Sequence, residues 1–289
     1  MSNVRIVTDS ACDLSDAEVR DGRVTIVPLS IRFGEQEYVD RRDLSAPEFW
    51  AKVEASAVLP ETAAPSPGAF EAAFRAAAAE GAGGVVCITL SSKLSATYGS
   101  AQLAARAVAD TVDVRVVDSL SITSGLGTMC LVGAEAAARG GSLDEVEREV
   151  RSLVGRTKVY GGLDTLDNLK KGGRIGGAQA LIGSLLSIKP IIDISTGEVE
   201  QEGKQRTRAK VFAHLVGLLT KAQVTYGSVD HVAVMHGDAH DSDDFLDLIA
   251  PHYPRERIRV GQIGAVIGTH GGPGVMGLTF DVPAAPAAG

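Results

Sequence analysis

With 289 residues the chain has room for one large or two ordinary domains, and 45% hydrophobic with 22% charged residues excludes wholesale disorder. Aromatic residues make up 4% and the formal net charge is −8, which argues against a protein that stacks nucleic-acid bases on a basic face. Three scattered cysteines (Cys12, Cys87, Cys130), no signal-peptide core in MSNVRIVTDS and no apolar run of roughly 18 residues predict a cytoplasmic protein with reduced thiols and no membrane span.

In chain order, Val4–Val7 and Val24–Leu29 read as strands, and Leu44–Val58 as a helix with Pro47 in its first turn. The Pro-broken loop LPETAAPSPG follows, then an Ala-rich helix at Ala69–Ala79. Strand Val85–Leu90, helix Ser95–Ala109, strand Val112–Val117 and helix Ser124–Arg139 come next, and the amphipathic helix Leu143–Val154 closes this half. Alternating strands and helices over 1–156 predict an α/β domain with a mostly parallel, doubly wound sheet. Ligands of such sheets sit beyond the carboxyl ends of the strands, where Thr8-Asp9-Ser10, Ser91-Ser92 and Asp118-Ser119 fall.

Beyond Thr157 the pattern changes to an α+β domain, 157–282, followed by a frayed tail, 283–289. Strands are predicted at Lys158–Leu163, Ile188–Ile194, Val199–Gly203, His231–His236, Val260–Ile263 and Val275–Asp281, with a turn at Thr196-Gly197. Helices are predicted at Leu181–Leu186, Arg208–Ala222 and Asp243–Ala250.

The segment VVCITLSSKLSATYGSAQLAA, Val85–Ala105, runs a buried strand into a hydroxyl-rich turn and a helix start. Ser91, Ser92 and Ser95 there suit an anionic head group, since free N–H groups and the helix dipole add to the hydroxyls; the plain alternative is an N-cap. His270 sits among glycines in GQIGAVIGTHGGPGVMG, between two strand-like segments, either as a donor to an anion or as an incidental turn residue. Its GxGxxG spelling is followed by a strand and not by the helix that a dinucleotide site needs. Lys170, Lys171 and Arg174 form a basic Gly-rich loop, an anion clamp or a solvated surface, and KQRTRAK at Lys204–Lys210 sets cations at a helix start, against the dipole. His236 and His240 straddle a strand end and a loop, so no metal site is expected. Neither a GxSxG elbow nor a close carboxylate pair is present.

Several blocks together resemble the DegV family of fatty-acid-binding proteins: VTDSACDLS (Val7–Ser15), the Pro-rich loop Thr62–Pro67 and TLSSKLSATYGSAQLA (Thr89–Ala104). LDTLDNLKKGGRIGGAQALIGSLLSIKPII (Leu163–Ile192), KQRTRAK and IGTHGGPGVMGL (Ile267–Leu278) continue it in family order over nearly the whole chain. The resemblance implies the acyl-binding subunit of a bacterial fatty-acid kinase, which presents a long-chain fatty-acid carboxylate for acyl-phosphate formation. It implies no catalytic machinery or cofactor of its own. It assigns the carboxylate site to Thr62, Ser92 (with Ser91 and Ser95 as neighbours) and His270, supported by Arg174, and partner docking to Arg206. Two departures stand beside that site: Ala63 and Ala64 replace the family's Ser-Gln, and Ala96 replaces a glycine. The rival readings are a serine acyl hydrolase using Ser92 and His270, and a carrier of another lipid acid.

Overall fold

The segments Val24–Val27, Val4–Asp9, Gly84–Thr89 and Val114–Asp118 lie side by side in that order as a four-stranded, all-parallel sheet. The computed structural model describes residues 3–181 and 188–284. Every residue of Gly84–Thr89 is buried, as a strand covered on both faces requires. Its alternate side chains divide between two layers. Val85 and Cys87 pack with Phe70, Phe74 and Ala101 of the helices Pro67–Ala79 and Thr97–Ala107. Val86 and Ile88 face Leu126, Cys130 and Val146 of the helices Thr123–Ala138 and Leu143–Leu153.

The second sheet has six strands, in the order Glu200–Gln205, Lys189–Asp193, Thr157–Gly162, Met276–Asp281, Asp230–His236 and Arg259–Gln262. All its pairings are antiparallel except the last. One face is covered by the helices Arg208–Tyr226 and Ser242–Ile249, through Phe212, Leu215 and Phe245. The other face, with Val159, Ile192 and Met235, joins the same core as the first half. Trp50 ties the halves together: its Nε1 donates to the Ile263 carbonyl at 2.9 Å.

The α/β-plus-α+β architecture expected from the sequence is the architecture found, with element ends shifted by at most four residues. Six elements differ. Ser30–Phe33 pairs with Gln36–Val39 as a hairpin and with Glu61–Ala63 as a third antiparallel strand, where no element is expected over 30–43 and LPETAAPSPG reads as loop. The run Ala265–Gly271 is a short helix, so His270 stands in a last helical turn and not in an open glycine loop. Short helices at Asp16–Asp21 and Asp167–Lys171 were also not anticipated. The helix expected at Leu181–Leu186 lies, beyond Leu181, outside the described residues, as does the tail past Ala284. Among the described residues, no helix is long and apolar enough to cross a membrane.

Candidate functional site

Between the inner face of the six-stranded sheet and the loops of the first half lies a cavity of about 780 Å³, its open mouth included. The wall is apolar over most of its extent, with Leu29, Leu90 and Ile122 opposite Val159, Ile192 and Ile194, and with Ile263 and Val266 beside them. The polar side chains in this lining are Thr123 and Tyr160, and a group of four: Thr62, Ser95, Arg174 and His270.

Each of the four is brought there by a different element. Thr62 lies on the three-residue strand Glu61–Ala63, opposite Ile31. Ser95 lies in the turn before the helix Thr97–Ala107, where its hydroxyl is 2.8 Å from Thr97 Oγ1. Arg174 donates from Nε to the Leu94 carbonyl at 3.1 Å and from Nη1 to the Gly172 carbonyl at 2.7 Å. That fixes its charge beside Ser95. His270 Nε2 is 3.1 Å from Thr62 Oγ1, a contact joining residues 208 apart in the chain.

The helix carrying His270 is anchored at both ends. The Gly264 N–H donates to Asp13 Oδ1 at 3.0 Å, and Asn168 Nδ2 donates to the Thr269 carbonyl at 2.9 Å. Gly268 lets the helix press on the core, since a Cβ there would lie 2.7 Å from both Phe49 and Trp50. Gly172 leaves room for the imidazole itself: a Cβ would sit 2.7 Å from His270 Cε1 and closer still to Nδ1.

Burial, aided by the nearby Arg174 charge, pushes His270 down to about 4, so the ring is neutral near pH 7. Its Nδ1 is buried against Gly172, with no partner among the described residues. Where Nε2–H donates to Thr62, the threonine O–H remains for a ligand. A neutral donor beside one guanidinium is a setting for a carboxylate at the end of an apolar body.

The DegV family model, described as that of an uncharacterised protein family, matches residues 3–282. This chain belongs to the DegV family. A DegV domain-containing protein of Streptomyces coelicolor is 36% identical over 278 residues, covering 96% of this chain and 97% of its own. Among solved structures, a fatty-acid-binding DegV family protein of Thermus thermophilus superposes with a TM-score of 0.89 at 32% identity, covering 97% of this chain and 100% of the other. A stearic-acid-binding protein of Eubacterium ventriosum gives 0.87 at 27% identity, covering 96% and 98%.

Not every residue singled out from the sequence lines the cavity of this DegV chain. Ser92 is exposed and outside the wall, and its backbone N–H donates to Asp118 Oδ1 at 3.1 Å. Ser91 is buried, its hydroxyl donating to the Gly197 carbonyl in the facing half. Of the three turn serines, only Ser95 is in the wall. With Ser92 outside and no acid on His270 Nδ1, the nucleophile–base–acid chain of a hydrolase is not assembled from these residues.

The basic stretches also divide by role. Arg208 pairs with Asp241 and donates to the Gly274 carbonyl at 2.6 Å, packing its helix start against the loop that follows His270. Arg206, Lys204 and Lys210 are exposed, as are Lys170 and Lys171. Ala63, Ala64 and Ala96, the departures from the family pattern, are all exposed and outside the cavity wall. Among the described residues no group of three or more His, Cys, Asp or Glu is arranged to hold a metal ion.

Sequence reasoning missed Asn168 and Gly172. Both lie in the quoted block LDTLDNLKKGGRIGG, where the asparagine and the first glycine of GGR are the readable signals.

Proposed function

We propose that this chain is a cytoplasmic carrier that binds one long-chain fatty acid in the apolar cavity, with the carboxylate at Thr62, Ser95, Arg174 and His270. The carrying observation is the apolar cavity with the Thr62–His270 contact in its wall and the Arg174 charge close to that histidine. The fatty-acid-binding DegV proteins of Thermus thermophilus and Eubacterium ventriosum support it. In this reading residues 1–156 supply Thr62 and Ser95, and 157–282 supply Arg174, His270 and the rest of the channel. Each buried methylene contributes about 0.8 kcal/mol, so ~12 of them supply on the order of 10 kcal/mol gross. The apolar body therefore dominates affinity, while the head group sets orientation.

The bound carboxylate is presented to a separate ATP-dependent fatty-acid kinase, which forms the acyl-phosphate; the carrier contributes no catalytic group. Arg206, exposed at the start of the helix beside the His270 loop, lies on the docking face. Calorimetric titration with oleate tests the first part. Thr62→Ala and Ser95→Ala are expected to weaken binding about tenfold each, the loss of one hydrogen bond to a charged group, and Ser92→Ala to leave it unchanged. Arg206→Ala is expected to bind oleate normally but to slow acyl-phosphate formation by the partner kinase. Loss of lipid with normal kinase coupling would reverse that division of roles.

A further inference from the structure

A second cavity, of about 900 Å³ with its open mouth, shares a wall with the first: Ile263 lines one and Gly264 the other. Its character is opposite. The polar groups in its lining include Ser10, Asp13, Asp40, Arg41, Arg259 and Gln262. Two further acids there are paired, Asp16 with Arg41 at 2.6 Å and Glu18 with Arg259 Nη1 at 3.3 Å. Asp13 and Asp40 make no salt bridge of their own among the described residues.

Asp40 is 3% exposed, and its Oδ2 has no hydrogen-bond partner among the described residues. Asp13 uses Oδ1 to hold the Gly264 N–H, while its Oδ2 is buried and, among the described residues, unpaired. On the donor side, Arg259 Nε and Nη2 are both buried without partners among the described residues. Those two atoms form the side of a guanidinium that grips an oxyanion through parallel N–H bonds. Buried polar atoms left unpaired cost free energy, and here acceptors and donors are both left over in one cleft. Burial holds Asp13 up at about 7 and Asp40 at about 6, although the nearby Arg41 charge pulls both down. Orphan acceptors alone would suit any cation and orphan donors any anion; together they call for a molecule that carries both.

We propose that this cleft binds a small zwitterion, a primary ammonium joined by a short linker to an oxyanion. The ammonium lies between Asp13 and Asp40, and the oxyanion on the Nε–Nη2 side of Arg259. The site is separate from the acyl cavity and does not depend on the acyl reading.

The test is a titration of the full chain, followed by NMR, with O-phosphoethanolamine and L-serine as zwitterions and ethylammonium and acetate as single-charge controls. Saturable binding of at least one zwitterion is expected, with both controls at least about tenfold weaker. Which zwitterion binds tells whether the oxyanion is a phosphate or a carboxylate. Asp40→Asn, and Ala46→Leu at the lining, are each expected to weaken it at least about tenfold while still folding and binding oleate like the parent. No saturable binding of either zwitterion up to roughly 10 mM, equal binding of a control, or unchanged binding by Asp40→Asn overturns the proposal. If Asp40→Asn does not fold, Ala46→Leu decides it in the same way.

Discussion

Replacing Gly172 by alanine is expected to weaken oleate binding by at least about tenfold while leaving the fold in place. Gly172 has ordinary right-handed helical angles, φ −72° and ψ −7°, so alanine brings no backbone strain there. What it brings is one methyl group, which would lie 2.7 Å from His270 Cε1 and 3.2 Å from the Asn168 carbonyl oxygen. The imidazole has no easy retreat, because its helix is held by Asn168 at Thr269 and by Asp13 at Gly264. The ring must leave its contact with Thr62. The neighbouring Gly173 supplies the control: it has φ +68° and nothing within 4 Å of an added Cβ. Gly173→Ala is expected to cost about 1 kcal/mol of stability and to leave oleate affinity as it was. Titration of both variants, with thermal melts alongside, separates the head group from the backbone. Parent-like affinity in Gly172→Ala would remove His270 from the head-group site.

The second large effect is on stability. The chain is expected to melt roughly 5 °C higher at pH 6 than at pH 8, a gain of about 2 kcal/mol. Burial raises Asp9 and Asp13 to about 7 and Asp40 to about 6, against an ordinary value of 3.8. Between pH 4 and 7 the folded state therefore holds protons that the unfolded chain has released. Stability from these groups is fully present below 3.8 and is lost as pH rises through 6 to 7. His270 acts in the opposite sense. Its folded value near 4 lies below the ordinary 6.5, so it costs stability as pH falls from 6.5 toward 4. Above pH 6 the carboxyls outweigh it. Asp9 is fully enclosed, accepting from the Leu90 and Ala11 N–H groups at 2.8 and 3.0 Å. Asp9→Asn is expected to remove about 1 kcal/mol of the pH 6-to-8 difference, whatever its absolute melting temperature. A melting temperature that rises from pH 6 to pH 8 would contradict this.

Much of the scaffold was readable because its signals are local. The run GVVCIT followed by a hydroxyl-rich turn and an Ala-rich helix is a parallel-sheet unit on its face, and the polar strand ends did fall together. The site's finer geometry was not readable, for three separate reasons. Thr62 lies between prolines in a stretch that looks like loop, and Glu61–Ala63 becomes a strand only by pairing with Ser30–Phe33. The helix carrying His270 contains glycines that lower its intrinsic propensity; its packing on Phe49 and Trp50 and its tether to Asp13 override that. Among Ser91, Ser92 and Ser95, spacing cannot tell which hydroxyl enters the cavity. The course of the turn decides it, sending Ser91 to Gly197, Ser92 to the surface and Ser95 to the wall.

The central claim is that one acyl chain fills the apolar cavity, and native mass spectrometry of the full chain purified from bacteria without added lipid tests it most directly. The account predicts a protein carrying a single extra mass that dissociates as a long-chain fatty acid, and that is lost or much reduced in Gly172→Ala. A parent protein that flies with no adduct, and that still takes up none after incubation with oleate, would contradict it.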